Sequence, residues 1–259
     1  MQENNYVNYS IEGSVATIAL NRPEVMNALD DTMVAQLEQA FQQANRDDSV
    51  KVIIIKSAGG KAFAAGADIK KLQSKTALEG LHYGMQEIYS AIEESPKVTI
   101  AIIDGYALGG GCELAMSCDI RIATERAKFG LPELNLGVVP GAGGTQRLPR
   151  LIGKGRALDM ILTGRVVRGE EAYQIGLASY FAQSDEVDNV LQDILANVLK
   201  KGPVAIKLAK LAILTGYDVD MKTAQWIEKL SISLLFGTED KAEGTRAFVE
   251  KREANFTNQ

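Results

Sequence analysis

The feature that most restricts the fold of this chain is a set of short, solid runs of apolar, largely β-branched residues, too short for helices and too apolar for loops. Lys51-Val-Ile-Ile-Ile-Lys56 places four such residues between two charges, Val98 to Ile103 ends at Asp104-Gly105, and Ile120 to Ala123 is a third run. Runs of this length read as strands buried on both faces. Between them the period changes. Met33, Leu37, Ala40, Phe41 and Ala44 recur at steps of three and four behind Asp30 or Asp31, either of which can cap a helix. Leu78, Leu81, Met85, Ile88 and Ile92 predict a second amphipathic helix, and Tyr6 to Leu20 alternates about Glu12-Gly13 as a hairpin does. Strand and helix in alternation give an α/β fold.

After about Gly155 the texture becomes helical, through Val187, Leu191, Ile194, Leu195 and Val198 and on to Trp226, Leu230, Leu234 and Leu235. The division expected is a catalytic core over 1–195 and a helical region over 196–259 that packs on the core and builds subunit contacts. The Glu250-Lys251-Arg252-Glu253 run reads as a solvated helix face. A net charge of -5 offers no basic excess to displace counterions from a nucleic acid, which argues against nucleic-acid binding. No apolar run approaches the ~18–20 residues that span a bilayer, and the N-terminus lacks a basic start followed by an apolar stretch. A cytoplasmic protein is expected. The two cysteines, Cys112 and Cys118, have no Cys or His repeat near them, so they read as small buried hydrophobes and no metal site is expected.

Chemistry concentrates at two glycine-rich turns. Ala64-Ala-Gly66-Ala67-Asp68 follows the first buried run, and Gly109-Gly110-Gly111 follows the second and leads into a helix over Cys112 to Ser117. Backbone N–H groups at a turn and at a helix N-terminus are what an oxyanion needs. Neither turn carries a P-loop or dinucleotide fingerprint. Glu113 directly follows the triple glycine, and Glu133 follows a turn at Phe129-Gly130 and then Leu131-Pro132. Both carboxylates stand among apolar neighbours. Burial raises a carboxyl pKa and two close carboxylates resist ionising together, so such a pair can hold one acid and one base. His82, the single histidine, leaves no convincing nucleophile triad, and Asp68 is read first as the cap of a helix beginning after Ala67.

Four stretches in order, Lys61-Ala-Phe-Ala-Ala-Gly-Ala-Asp-Ile69, Asp104-Gly-Tyr-Ala-Leu-Gly-Gly-Gly-Cys-Glu-Leu-Ala-Met116, Phe129-Gly-Leu-Pro-Glu133 and Val139-Pro-Gly-Ala-Gly-Gly-Thr-Gln-Arg147, resemble the enoyl-CoA hydratases of the crotonase superfamily. The likeness extends to Asn21-Arg-Pro-Glu-Val-Met-Asn-Ala-Leu29 and to Glu243 through Arg252. It implies a spiral of ββα units with a helical C-terminal trimerisation region, assembled as a homotrimer or a dimer of trimers. It further implies that the N–H groups of Ala67 and Gly110 form an oxyanion hole for a thioester carbonyl, that Glu113 and Glu133 hold the catalytic water, and that Gly141 lines the site. Val25, Ala28, Ala65, Asp68, Ile69 and Lys70 fall where such proteins receive coenzyme A, and Phe248 and Lys251 where a neighbouring subunit completes the pocket. Coenzyme A belongs to the substrate, so no separate cofactor is expected.

Leu131 stands where a Gln often precedes Pro-Glu, which leaves the acyl preference open. Gly202-Pro-Val-Ala-Ile-Lys-Leu-Ala-Lys210 and Asp218-Val-Asp220 resemble methylglutaconyl-CoA hydratases. An enoyl-CoA isomerase would use the same oxyanion hole but usually lacks both glutamates, so the pair argues for hydration. A binding protein for RNA or acyl-CoA on the same fold is the reading from another class, distinguished by RNA binding with a steep salt dependence.

Overall fold

The computed structural model describes residues 5–81 and 84–259, apart from the side chains of Lys70 and Lys71. His82 lies outside the described residues. In chain order the strands are β1 (Val7–Glu12), β2 (Val15–Leu20), β3 (Val52–Ser57), β4 (Ala62–Ala64), β5 (Val98–Ile103), β6 (Tyr106–Leu108), β7 (Ile120–Thr124), β8 (Lys128–Gly130), β9 (Val167–Arg168) and β10 (Tyr180–Ala182). They form a six-stranded sheet in the order β1-β2-β3-β5-β7-β10 and a four-stranded sheet in the order β4-β6-β8-β9. The chain thus lays one strand in the large sheet and the next in the small one, three times running (β3 then β4, β5 then β6, β7 then β8), with helices between the pairs. This is the spiral of ββα units.

The three β-branched runs become β3, β5 and β7, and every residue of β5 is buried. Strands covered on both faces need continuous apolar runs, which explains why these were legible. The N-terminal hairpin forms with Val7 opposite Leu20 and Glu12 opposite Val15. The next helix is Asp31–Arg46; its cap is Asp30, whose side chain accepts from the Met33 amide, and it buries Met33, Leu37, Ala40, Phe41 and Ala44. Both cysteines are buried.

Several expectations need correction. Leu78 and Leu81 do not continue the helix of Met85, Ile88 and Ile92. The latter three are buried on helix Gly84–Glu93, whereas Leu78 lies on a four-residue helix, Ala77–Gly80, and is 75% exposed. That short helix is stabilised locally by a Thr76/Glu79 capping box, not by apolar burial. Phe129-Gly130 is not a turn but the end of β8, paired with β6. The Glu250–Glu253 run is not a helix face: helix Glu239–Glu250 ends there, Lys251 takes a left-handed conformation at φ 55°, and Arg252 turns back to Glu243. Short strands β9 and β10 interrupt the region read as helical.

By compactness the chain divides into Met1–Glu93 with Thr99–Leu191 and Glu94–Val98 with Gln192–Gln259. The second unit contains helices Pro203–Tyr217, Met221–Phe236 and Glu239–Glu250. Its tail is tied back where the buried Asp240 carboxylate accepts from the Thr257 and Asn258 amides. Among the described residues no helix is long and apolar enough to cross a membrane.

Candidate active site

The small sheet positions the chemistry. β4, β6 and β8 run parallel, so their C-terminal ends lie side by side, and each end leads into one of the segments singled out above. β4 leads to Ala65–Asp68, β6 to Gly109-Gly110, and β8 to Leu131-Pro132-Glu133. The carboxyl ends of parallel strands are where open α/β sheets bind ligands. The ends are tied together, since the Gly109 amide donates to the Gly130 carbonyl at 2.9 Å. A Cβ on Gly109 would stand 3.0 Å from Glu133 Oε1 and crowd the carboxylate, and the φ of 53° here favours glycine as well.

Two amides at these strand ends have no acceptor among the described residues. Leu29 pairs as a parallel bridge with Ala67: the Leu29 amide donates to the Gly66 carbonyl at 2.8 Å, and the Asp68 amide donates to the Leu29 carbonyl at 3.3 Å. A parallel bridge uses the groups on either side of the central residue, which leaves the Ala67 N–H over. Gly110 is the first residue of helix Gly110–Ser117, where an N–H has no intrahelical acceptor. Among the described residues neither amide has an acceptor. The Tyr89 hydroxyl donates to the Gly110 carbonyl at 2.9 Å and secures that end of the helix.

Asn27 holds the bridge in place and was missed from the sequence. Fully buried and left-handed at φ 54°, it accepts from the Arg22 amide and donates to the Ala62 and Phe63 carbonyls, each at 3.0 Å. It thereby pins the Asn21–Leu29 segment to β4. Asparagine's tolerance of left-handed backbone was the one local signal available.

Glu113 lies on the first turn of helix Gly110–Ser117 and is 2% exposed. Its Oε1 accepts from the amides of Ala142 and Gly144 at 2.8 and 2.7 Å. Burial raises its pKa, and the two amides and the Arg147 charge oppose that rise. Glu133 begins the short 3-10 helix Glu133–Leu136 and is half-buried. Its Oε2 is buried without a hydrogen-bond partner among the described residues. Burial, with the Glu113 charge adding to it, pushes its pKa up to about 7. The two carboxyls are therefore unlike: one oxygen of Glu113 is held by donors that favour the anion, and one oxygen of Glu133 is left where the neutral acid is favoured.

Among the other expected residues, Gly141 is exposed beside Ala142, and Leu131 is buried, its Cδ1 3.0 Å from where a Cβ on Gly144 would stand. Val25, Ala28, Ala65 and Asp68 come together because the Ala65 amide donates to the Met26 carbonyl and because of the Leu29–Ala67 bridge. Asp68 directly precedes helix Ile69–Ser74, its carbonyl accepting from the Leu72 amide, while Ile69 is exposed and the Lys70 side chain lies outside the described residues. A cavity of about 260 Å³ beside Ala67 is lined by Leu29, Val34, Ala35, Leu72 and Met85 among others. Phe248 (83% exposed) and Lys251 belong to the second unit. Among the described residues no cluster of His, Cys, Asp and Glu could hold a metal ion.

The enoyl-CoA hydratase/isomerase family model matches residues 10–259. The crotonyl-CoA hydratase of Syntrophomonas wolfei is 43% identical over 95% of each chain, and the short-chain-enoyl-CoA hydratase of Clostridium acetobutylicum is 40% identical over 93% of each. The crystal structure of an enoyl-CoA hydratase from Bacillus anthracis superposes with a TM-score of 0.93 at 37% identity, covering 98% of this chain and all of that one. With one family model spanning nearly its whole length, and relatives of that identity matching end to end, the chain belongs to the enoyl-CoA hydratase/isomerase family.

Proposed function

We propose that this protein adds water to a short-chain 2-trans-enoyl-CoA to give the 3-hydroxyacyl-CoA. The observation that carries the reading is the pair of unlike carboxyls, Glu113 and Glu133, beside the two unsatisfied amides of Ala67 and Gly110. Those amides receive the thioester oxygen, drawing electron density from the β-carbon and stabilising the enolate that forms; one such donor is worth about 2.7–4 kcal/mol in comparable sites. Glu113, as the carboxylate, accepts a hydrogen bond from water and takes its proton as the oxygen attacks the β-carbon. Glu133, as the neutral acid, delivers a proton to the α-carbon. The pair is restored when the proton taken by Glu113 passes back to Glu133. Glu113 thus serves chiefly to activate water, and Glu133 to exchange the proton of the α-carbon. No step exchanges electrons, so the residues themselves suffice as acid and base.

A short acyl chain is supported by the substrates named for the two relatives, crotonyl-CoA and short-chain enoyl-CoA. Val25, Ala28, Ala65, Asp68, Ile69 and Lys70 would receive the coenzyme A moiety, and Gly141 the side of the site near Glu113. Phe248 and Lys251 would complete the pocket of a neighbouring subunit. Assembly into trimers, single or paired, is supported by apolar side chains left uncovered on the second unit. Trp226, Leu230 and Leu234 stand one turn apart on helix Met221–Phe236, each more than half exposed. Large apolar side chains exposed in a row along one helix favour an interaction surface there.

The test is a panel of crotonyl-CoA, longer 2-trans-enoyl-CoAs and 3-methylglutaconyl-CoA, followed by loss of the conjugated thioester absorbance. Hydration fastest on crotonyl-CoA and unaffected by a metal chelator is the expected result. Double-bond migration without hydration would overturn the reading.

A further inference from the structure

Ala142 is gripped from both sides, and the grip leads to a residue with no part in the chemistry described so far. Its amide donates to Glu113 Oε1 at 2.8 Å, while its carbonyl accepts from Arg147 Nη1 at 2.9 Å. Arg147 lies on helix Gly144–Ile152, with its side chain 10% exposed. Its Nε and Nη2 both reach Glu93 Oε2, at 3.0 and 2.8 Å, from the neighbouring helix Gly84–Glu93. Nη2 also lies 3.4 Å from the Ser90 hydroxyl. The chain returns through Gly143 at φ 102°, where a methyl group would overlap the Arg147 guanidinium, and presents the Gly144 amide to the same Glu113 oxygen.

We propose that Arg147, anchored by Glu93, is a positioning residue that fixes the two-amide cradle of Glu113 and favours its carboxylate form. The cradle fixes one Glu113 oxygen and so the direction in which the other faces water. A guanidinium behind it favours the anion, and a fixed carboxylate on the far side of the guanidinium moderates that effect. What opposes the anion is burial; Glu133 across the site and the Cys112 thiol on the same helix are themselves kept in their neutral forms by burial and by the Glu113 charge. The two amides come first against that burial, and the Arg147 charge acts with them.

The proposal rests on the hydratase reading for its consequence in turnover, but the state of Glu113 can be read without turnover. The Glu113 carboxyl is titrated by carbon-13 NMR in glutamate-labelled protein, its signal identified by its loss in Glu113→Gln, alongside the pH dependence of kcat on crotonyl-CoA. Arg147→Met should raise the Glu113 midpoint. The acidic limb of kcat should move with it. Arg147→Lys, which keeps the charge and loses the forked contact, should leave the midpoint in place while lowering kcat. Glu93→Gln, which leaves Arg147 unopposed, should lower the midpoint, and this second variant keeps the test open should Arg147→Met fail to fold. Midpoints that stay fixed in both charge-changing variants, or that move the same way, would overturn the proposal. If the wild type hydrates nothing while the midpoints shift as stated, the positioning role stands and the hydratase reading falls.

Discussion

The two sheets of this protein were built to different specifications. The six-stranded sheet carries runs such as 52–55 and Val98–Ile103, apolar enough to be buried on both faces, and it forms much of the core. The four-stranded sheet consists of Ala62–Ala64, Tyr106–Leu108, Lys128–Gly130 and Val167–Arg168, with two or three residues in each strand. Each strand is too short to contribute more than one or two core side chains, Phe63 and Phe129 the largest, and it is their ends that carry Ala67, Gly110 and Glu133, with Glu113 one turn later. The large sheet supplies stability that tolerates small changes of shape. The small sheet supplies geometry that does not.

The strongest way to break the distinction is Gly111→Ala. A methyl group there would overlap the carbonyl of Ala64, driving helix Gly110–Ser117 away from β4. Forced shifts in a packed interior cost about 1–3 kcal/mol or more. Displacing Glu113 and the Gly110 amide together by about 1 Å should lower kcat by about a hundredfold, because reacting groups tolerate little misplacement. The measurement is a denaturant melt paired with steady-state kinetics, and unchanged turnover would show that the small sheet has slack.

In the large sheet the converse holds. Ile55→Val removes one methylene from a fully buried position on β3 and should cost about 0.5–1.5 kcal/mol by the same melt. Turnover in the native state should not change. A loss of kcat comparable to that of Gly111→Ala would mean that the sheets are not separable in function.

A smaller effect concerns stability against pH. Glu133 has its pKa raised in the folded protein to about 7 from an ordinary carboxylate value. Its contribution to stability is therefore fully present below the unfolded pKa and is lost as pH rises through about 7. Glu133→Gln removes the group that must ionise in an apolar setting. It should melt a few degrees higher than wild type at pH 8, on the scale of ~2–4 °C per kcal/mol for a chain of this size. The difference should shrink towards pH 4. Equal melting temperatures at pH 8 would mean that Glu133 ionises there without penalty.

The same contrast explains what could be read from the sequence. β3, β5, β7, the hairpin and the Asp31–Arg46 helix announce themselves through local period and composition. β8 did not: Lys128-Phe129-Gly130 ends in a turn-forming residue and was read as one, since three residues cannot display alternation. Leu78 and Leu81 matched a helical period by spacing alone, and their exposure shows that spacing does not guarantee a partner. Glu113 and Glu133 were legible because charged residues in apolar surroundings demand an explanation. Asn27 and Arg147 were not, because their partners (Ala62, Phe63, Ala142, Glu93) lie 35, 36, 5 and 54 residues away, and most are backbone atoms without any sequence signature.

The division of labour between the two carboxyls is tested most directly by a double-mutant cycle on crotonyl-CoA hydration. Glu133→Gln keeps shape and removes proton exchange, and general acid–base catalysis is worth about 10²–10⁴-fold, so kcat should fall at least about a hundredfold with little change in binding of the product. Glu113→Gln should also be severely impaired. Because both residues act on one water and one proton circuit, the double variant should lose much less than the product of the two single losses. Near-wild-type hydration by either single variant with its fold intact, or strictly multiplicative losses, would contradict a shared acid–base pair.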